Sequence, residues 1–179
     1  MRSSLLSCIA LAACASANTG SAPPPSSSII RVQSAVGGGG STTVSMSDGT
    51  SERKVPGSPD GVFKLLPSIL DSLGIPLNTV DAAKRTIGNS GFNVRGKLKG
   101  VPLSRYLDCG GATQMGPNAD SYSINLQFMV EVHAADGGSS IVTTLQAIGK
   151  PLNFAQDYSN CSSKGNLENR VAELLRAKL

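Results

Sequence analysis

The feature that most constrains the fold is a run of strict alternation between residues 121 and 133. Apolar side chains take every second position, and mostly polar side chains lie between them; the apolar set is Tyr122, Ile124, Leu126, Phe128, Val130 and Val132. A period of two is typical of a β-strand with one buried face. Asp136-Gly137-Gly138 favours a turn, and Ser140 to Ile148 predicts the returning strand. We therefore expect an antiparallel sheet with one buried face.

Two segments have the three- and four-residue apolar spacing of one-sided helices. The first follows Ser58, a good N-cap, and ends before Gly74; its stripe is Val62, Leu65, Leu66, Ile69, Leu70 and Leu73. The second closes the chain, with Ser162 or Ser163 as its cap; its stripe is Leu167, Val171, Leu174 and Leu175. The prediction is an α+β domain over residues 42–179, an antiparallel sheet with both helices on one face.

A basic stretch runs from Lys84 to Arg105 and contains no Asp or Glu. Within it, Phe92, Val94 and Leu98 alternate with Arg95, Lys97 and Lys99. This pattern predicts a strand with one solvent-exposed face. Two interpretations remain open. The cations either form a solvated face, or they contact anionic lipid or an acidic partner protein through Arg95, Lys97, Lys99 and Arg105.

The N-terminus has the layout of an export signal, with Arg2 before an apolar run from Leu5 to Leu11. The run is too short to span a membrane. It ends in Leu11-Ala12-Ala13-Cys14, which resembles the lipobox of bacterial lipoprotein signals. That resemblance implies removal of residues 1–13, lipid attachment at Cys14, and, with Ala15 next, an outer-membrane location facing the periplasm. The alternative is an ordinary secretory signal in which Cys14 is incidental.

Residues 14–41 are rich in Ser, Ala, Pro and Gly, which predicts a flexible tether. Ile29-Ile30-Arg31-Val32 interrupts this composition and is either a docking segment or an isolated strand. The plain tether is the interpretation that the composition favours.

Cys109 and Cys161 are the two cysteines that remain beyond the signal and its lipid site. An even pair in an exported protein predicts a disulfide, here between two loop-like segments before the long hairpin and before the last helix. The alternative is two buried free thiols. A metal site is not expected, because His133 is the only histidine and no CxxC is present.

The sequence also lacks the motifs of hydrolases and phosphate loops. His133, beside Glu131 on the outward side of a strand, is expected to be a solvated histidine. Lys and Arg outnumber Asp and Glu by only 16 to 12, a weaker excess than nucleic-acid binding requires. We expect no enzymatic activity, no cofactor and no nucleic-acid partner.

The order of lipobox, tether, helix, antiparallel strands and final helix resembles the BamC family of outer-membrane lipoproteins. The segments that support the resemblance are Asp60-Gly61-Val62-Phe63, Leu73-Gly74-Ile75 and Asn166-Leu167-Glu168. The resemblance implies a helix-grip fold and an accessory role in outer-membrane assembly.

Two hypotheses about function follow. The first is a non-enzymatic envelope lipoprotein that binds another envelope protein. The second is a binding module for a small apolar or lipid-like ligand held between helix and sheet. A cavity above about 300 Å³ between helix and sheet would favour the second, and a filled core with an exposed apolar or basic patch the first.

Overall fold

The computed structural model describes residues 28–33, 41–46, 49–114, 116–152 and 157–179. The helices are α1 (Pro59–Ser72), α2 (Asn118–Ser121) and α3 (Asn166–Lys178), with a short 3-10 helix at Leu103–Arg105. The strands are β1 (Ser28–Gln33), β2 (Ser41–Met46), β3 (Gly49–Val55), β4 (Thr79–Asp81), β5 (Thr86–Arg95), β6 (Lys97–Leu98), β7 (Val101–Pro102), β8 (Leu107–Asp108), β9 (Ala112–Thr113), β10 (Gly116–Pro117), β11 (Tyr122–Ala135), β12 (Gly138–Pro151) and β13 (Ser159–Ser163). The chain is therefore α+β, as the sequence predicts.

The long hairpin of β11 and β12 is the centre of a seven-stranded antiparallel sheet within the described residues. β5 pairs with β11 on the side opposite β12, and β4 pairs with β5. The other edge of β12 is shared, because β3 pairs with its first half and β13 with its second half. The predicted turn is confirmed, with Gly137 at a φ of 78° that favours glycine.

The alternation along β11 fixes which face of the sheet is buried. All six alternating apolar residues are buried, from Tyr122 at 8% exposed to Phe128 and Val130 at 0%. They join one core with the buried sides of α1 and α3, which lie on the same face of the sheet. The prediction of two helices covering one face is therefore confirmed.

The two helices begin differently from each other. Ser58 caps α1 as predicted, because its Oγ accepts a hydrogen bond from the Gly61 N–H at 3.3 Å. The predicted serine cap of α3 is wrong, since the N-cap is Gly165 at a φ of 74°. Ser163 instead accepts from the Gly165 N–H and donates to the buried Glu168 carboxylate. That serine links strand β13 to the first turn of α3.

Cys109 and Cys161 form the predicted disulfide, with their Cα atoms 4.0 Å apart and both side chains buried. Cys161 lies in β13 and not in a loop, and Cys109 directly follows β8, so the bond links the end of β8 to the neighbouring strand β13. Beside it, a Cβ on Gly149 would lie 2.9 Å from the Tyr122 ring and 3.3 Å from the Cys161 sulfur. Only glycine fits against the disulfide at this point of β12.

In the N-terminal region, the described residues 28–33 and 41–46 form a strand pair. β1 pairs antiparallel with β2, so the segment around Ile29 to Val32 is a strand. Cys14, the signal peptide and the rest of the predicted tether lie outside the described residues. Among the helices that the structure describes, none is long and apolar enough to cross a membrane.

Candidate functional site

The site begins where α1 ends. The Gly74 N–H bonds to the Asp71 carbonyl and the Ile75 N–H bonds to the Leu70 carbonyl, both at 2.9 Å. Gly74 has a φ of 79°, the left-handed conformation that commonly ends a helix. The chain then turns towards the sheet, so that Ile75 is buried and Pro76 is exposed.

The basic strand predicted over Phe92 to Lys99 is broken in the structure. β5 ends at Arg95, and Gly96, at a φ of 64°, turns the chain into the short hairpin of β6 and β7. Lys99 and Gly100 both have positive φ, which is the two-residue turn that suits a tight hairpin. The prediction that Arg95, Lys97 and Lys99 share one strand face is therefore wrong.

The tip of this hairpin packs against the end of α1. A Cβ on Gly74 would lie 3.1 Å from the Lys99 Cβ and 3.3 Å from the Lys99 backbone nitrogen. The absence of a side chain at Gly74 lets the two segments approach this closely. Their contact encloses one end of a surface groove, which we call the α1 groove.

The α1 groove has a volume of about 400 Å³ and lies between the end of α1, β5 and β6. Its apolar floor is formed by the half-buried Phe92 and Val94 together with Ile75 and Leu98, which are buried. Phe92 and Val94 are half-buried and pack against the core, so the floor is a continuation of the core that reaches the surface. Asp71, Gly74, Pro76, Asn93, Lys97 and Lys99 complete the lining.

The charges at the rim of the α1 groove favour a ligand that is anionic, or one that has both an apolar and an anionic part. Lys97 and Lys99 are exposed and face one carboxylate, that of Asp71. The ion pairs that the described residues form are Arg85–Asp60, His133–Glu131 and Arg170–Glu173. Neither lysine of the groove takes part in one, so both ammonium groups are available to a ligand.

The four basic residues predicted to form one contact surface lie in different parts of the structure. Lys97 and Lys99 line the α1 groove, whereas Arg95 and Arg105 are exposed but do not line it. Arg95 ends β5 beside Ser123 of β11, and Arg105 lies in the 3-10 helix. Sequence reasoning missed Asp71 and Ile75, because a helix end and a hairpin tip 25 residues away meet only in the folded chain.

His133 is placed as the sequence predicts. Its Nε2 lies 3.5 Å from a Glu131 carboxylate oxygen, and both side chains are half exposed. No cluster of three or more His, Cys, Asp or Glu side chains suited to a metal occurs in the part of the chain that the structure describes.

No protein-family model, no curated protein and no solved structure matches this chain. The resemblance to the BamC family therefore stays a prediction from the sequence.

Proposed function

We propose that this chain is a non-enzymatic lipoprotein of the bacterial outer membrane, anchored through Cys14 and facing the periplasm. In this proposal it acts as an assembly or interaction accessory, as the resemblance to the BamC family implies. Its partner is another envelope protein, and the α1 groove is the surface that binds it.

The observation that carries the proposal is the combination of an apolar floor with a lysine rim in an open groove. Apolar surface of this kind gains free energy when a partner covers it, by about 25 cal/mol for each Å² removed from water. Lys97 and Lys99 add attraction for an acidic segment and steer its approach. Tethering at the membrane raises the effective concentration of membrane partners, so that a shallow groove suffices.

A lipid-like ligand is the second candidate, because the groove lies between helix and sheet and its volume of about 400 Å³ is within the range of small-molecule sites. An acyl chain would lie on Phe92 and Val94, and an anionic headgroup would meet the two lysines. The helix-covered core itself is filled, since Leu66, Ile69 and Phe128 are fully buried. Any such ligand therefore binds in the groove and not inside the domain.

A photo-reactive phenylalanine analogue at Pro76 tests both candidates in native membranes. Pro76 is exposed and lines the groove, so light should link it to whatever occupies the floor. We expect a discrete protein adduct on gels, and a roughly thirtyfold lower yield in the Lys97→Gln, Lys99→Gln double variant, since each lysine is worth about 1 kcal/mol near an anionic surface.

The matched control carries the same analogue at Lys84, an exposed turn residue outside the groove, and should give no such adduct. A mass increase equal to a lipid would select the second candidate. An equal adduct pattern from Pro76 and Lys84, or a yield that the lysine changes leave unaltered, would contradict a role for the groove.

A further inference from the structure

A second concave site lies on the face of the sheet that the helices do not cover. Its volume is about 430 Å³, and Asn93, Ser123, Asn125, Lys150 and Tyr158 contribute its polar lining. Ser123 and Asn125 alternate along β11 with the buried Tyr122 and Ile124, so they project away from the core. This pocket is separate from the α1 groove except at Asn93, which borders both.

Strand register brings the polar side chains of the pocket together. Asn93 of β5 lies directly opposite Asn125 of β11, and the Asn125 amide donates to the Asn93 side-chain oxygen at 3.4 Å. This is the only side-chain hydrogen bond that the pocket lining makes among the described residues. The Asn93 amide N–H groups and the Asn125 amide oxygen therefore remain available to a ligand.

Positive charge is placed next to these amides. Ser123 pairs in register with Arg95 on one side and with Lys150 on the other, so all three side chains lie on the same face. The Lys150 ammonium lies 5.5 Å from the centre of the Tyr158 ring. This cation–π contact stabilises the ammonium at the wall of the pocket. Asp157, the neighbouring acidic residue, is exposed and does not line the pocket.

These groups match a ligand with hydroxyls and one anionic group. An amide both donates and accepts, as does the Ser123 hydroxyl, and a sugar hydroxyl needs both kinds of partner. Lys150 supplies a charged donor for a carboxylate. We propose that this pocket binds an acidic monosaccharide, with its carboxylate on Lys150 and its hydroxyls on Asn93, Asn125 and Ser123.

Titration of the purified full chain with D-glucuronate, followed by calorimetry or ligand-observed NMR, tests the proposal. We expect the Lys150→Gln variant to bind glucuronate about tenfold more weakly, because a hydrogen bond to a charged group is lost. Lys150→Arg keeps the charge and should retain most of the affinity. Asn125→Ala should weaken binding about fivefold through the loss of a neutral hydrogen bond.

The matched control is Lys84→Gln, which removes the same charge from the far end of the sheet and should leave the affinity unchanged. D-glucose, which lacks the carboxylate, should bind more weakly than glucuronate. Equal affinities of the wild type, Lys150→Gln and Asn125→Ala would overturn the proposal. So would acetate binding as tightly as glucuronate, since the hydroxyls would then contribute nothing.

Discussion

Removal of the disulfide by the double change Cys109→Ala, Cys161→Ala should lower the free energy of unfolding by about 4 kcal/mol. The two cysteines are 52 residues apart in sequence, so the bond closes a long loop and restricts the unfolded chain. In the native state it holds β8, an edge strand of two residues, against β13. Alanine is chosen because both sites are buried and a serine hydroxyl would add its own cost.

Urea and thermal unfolding measure this effect, and we expect the melting temperature to fall by about 15 °C. Reduction of the wild type with a thiol is the control, and it should reproduce the loss without affecting the double variant. A double variant within about 1 kcal/mol of the wild type would show that the strand pair needs no covalent link.

Replacing Phe128 with alanine should destabilise the protein by about 4 kcal/mol, by loss of apolar burial and by the cavity left behind. Phe128 is the largest fully buried side chain among the described residues and lies at the middle of β11, beneath the helices. Few other aromatic side chains are available to fill the space, because the sequence contains four Phe, three Tyr and no Trp.

Phe128→Leu is the matched control for the core, since it keeps most of the apolar volume and should cost less than about 1.5 kcal/mol. Chemical denaturation measures the loss in the free energy of unfolding for each variant. If alanine and leucine destabilise equally, the cost comes from the local backbone and not from the filling of this core.

The parts of the fold that the sequence predicts correctly are those with a strong local period. The alternation along β11 and the stripe of α1 each lie within a single segment, so neighbouring residues reveal which face is buried. β13 has no such signal, because Ser159-Asn160-Cys161-Ser162-Ser163 lacks an apolar alternation. Its pairing with β12 and β8 depends on residues far away in sequence.

The break in the basic strand has a different cause. Phe92, Val94 and Leu98 keep a period of two across Gly96, but Gly96 turns the chain, and Leu98 is buried from a separate hairpin. The sequence signal for this turn was weak, because two-residue hairpin turns favour Asn-Gly, Asp-Gly or Gly-Gly, whereas this one is Lys99-Gly100. The two concave sites could not be predicted, because each depends on a contact or a register between distant segments.

The proposed function requires that the chain is held at a membrane through Cys14, and a fatty-acid labelling and fractionation experiment tests this most directly. The wild type and the control variant Cys8→Ser, which changes a cysteine before the predicted cleavage point, should both incorporate label and sediment with outer membranes. Cys14→Ser should lose the label and no longer sediment as the mature form. If Cys14→Ser matures, carries label and sediments as the wild type does, the account of a lipid-anchored binding protein is contradicted.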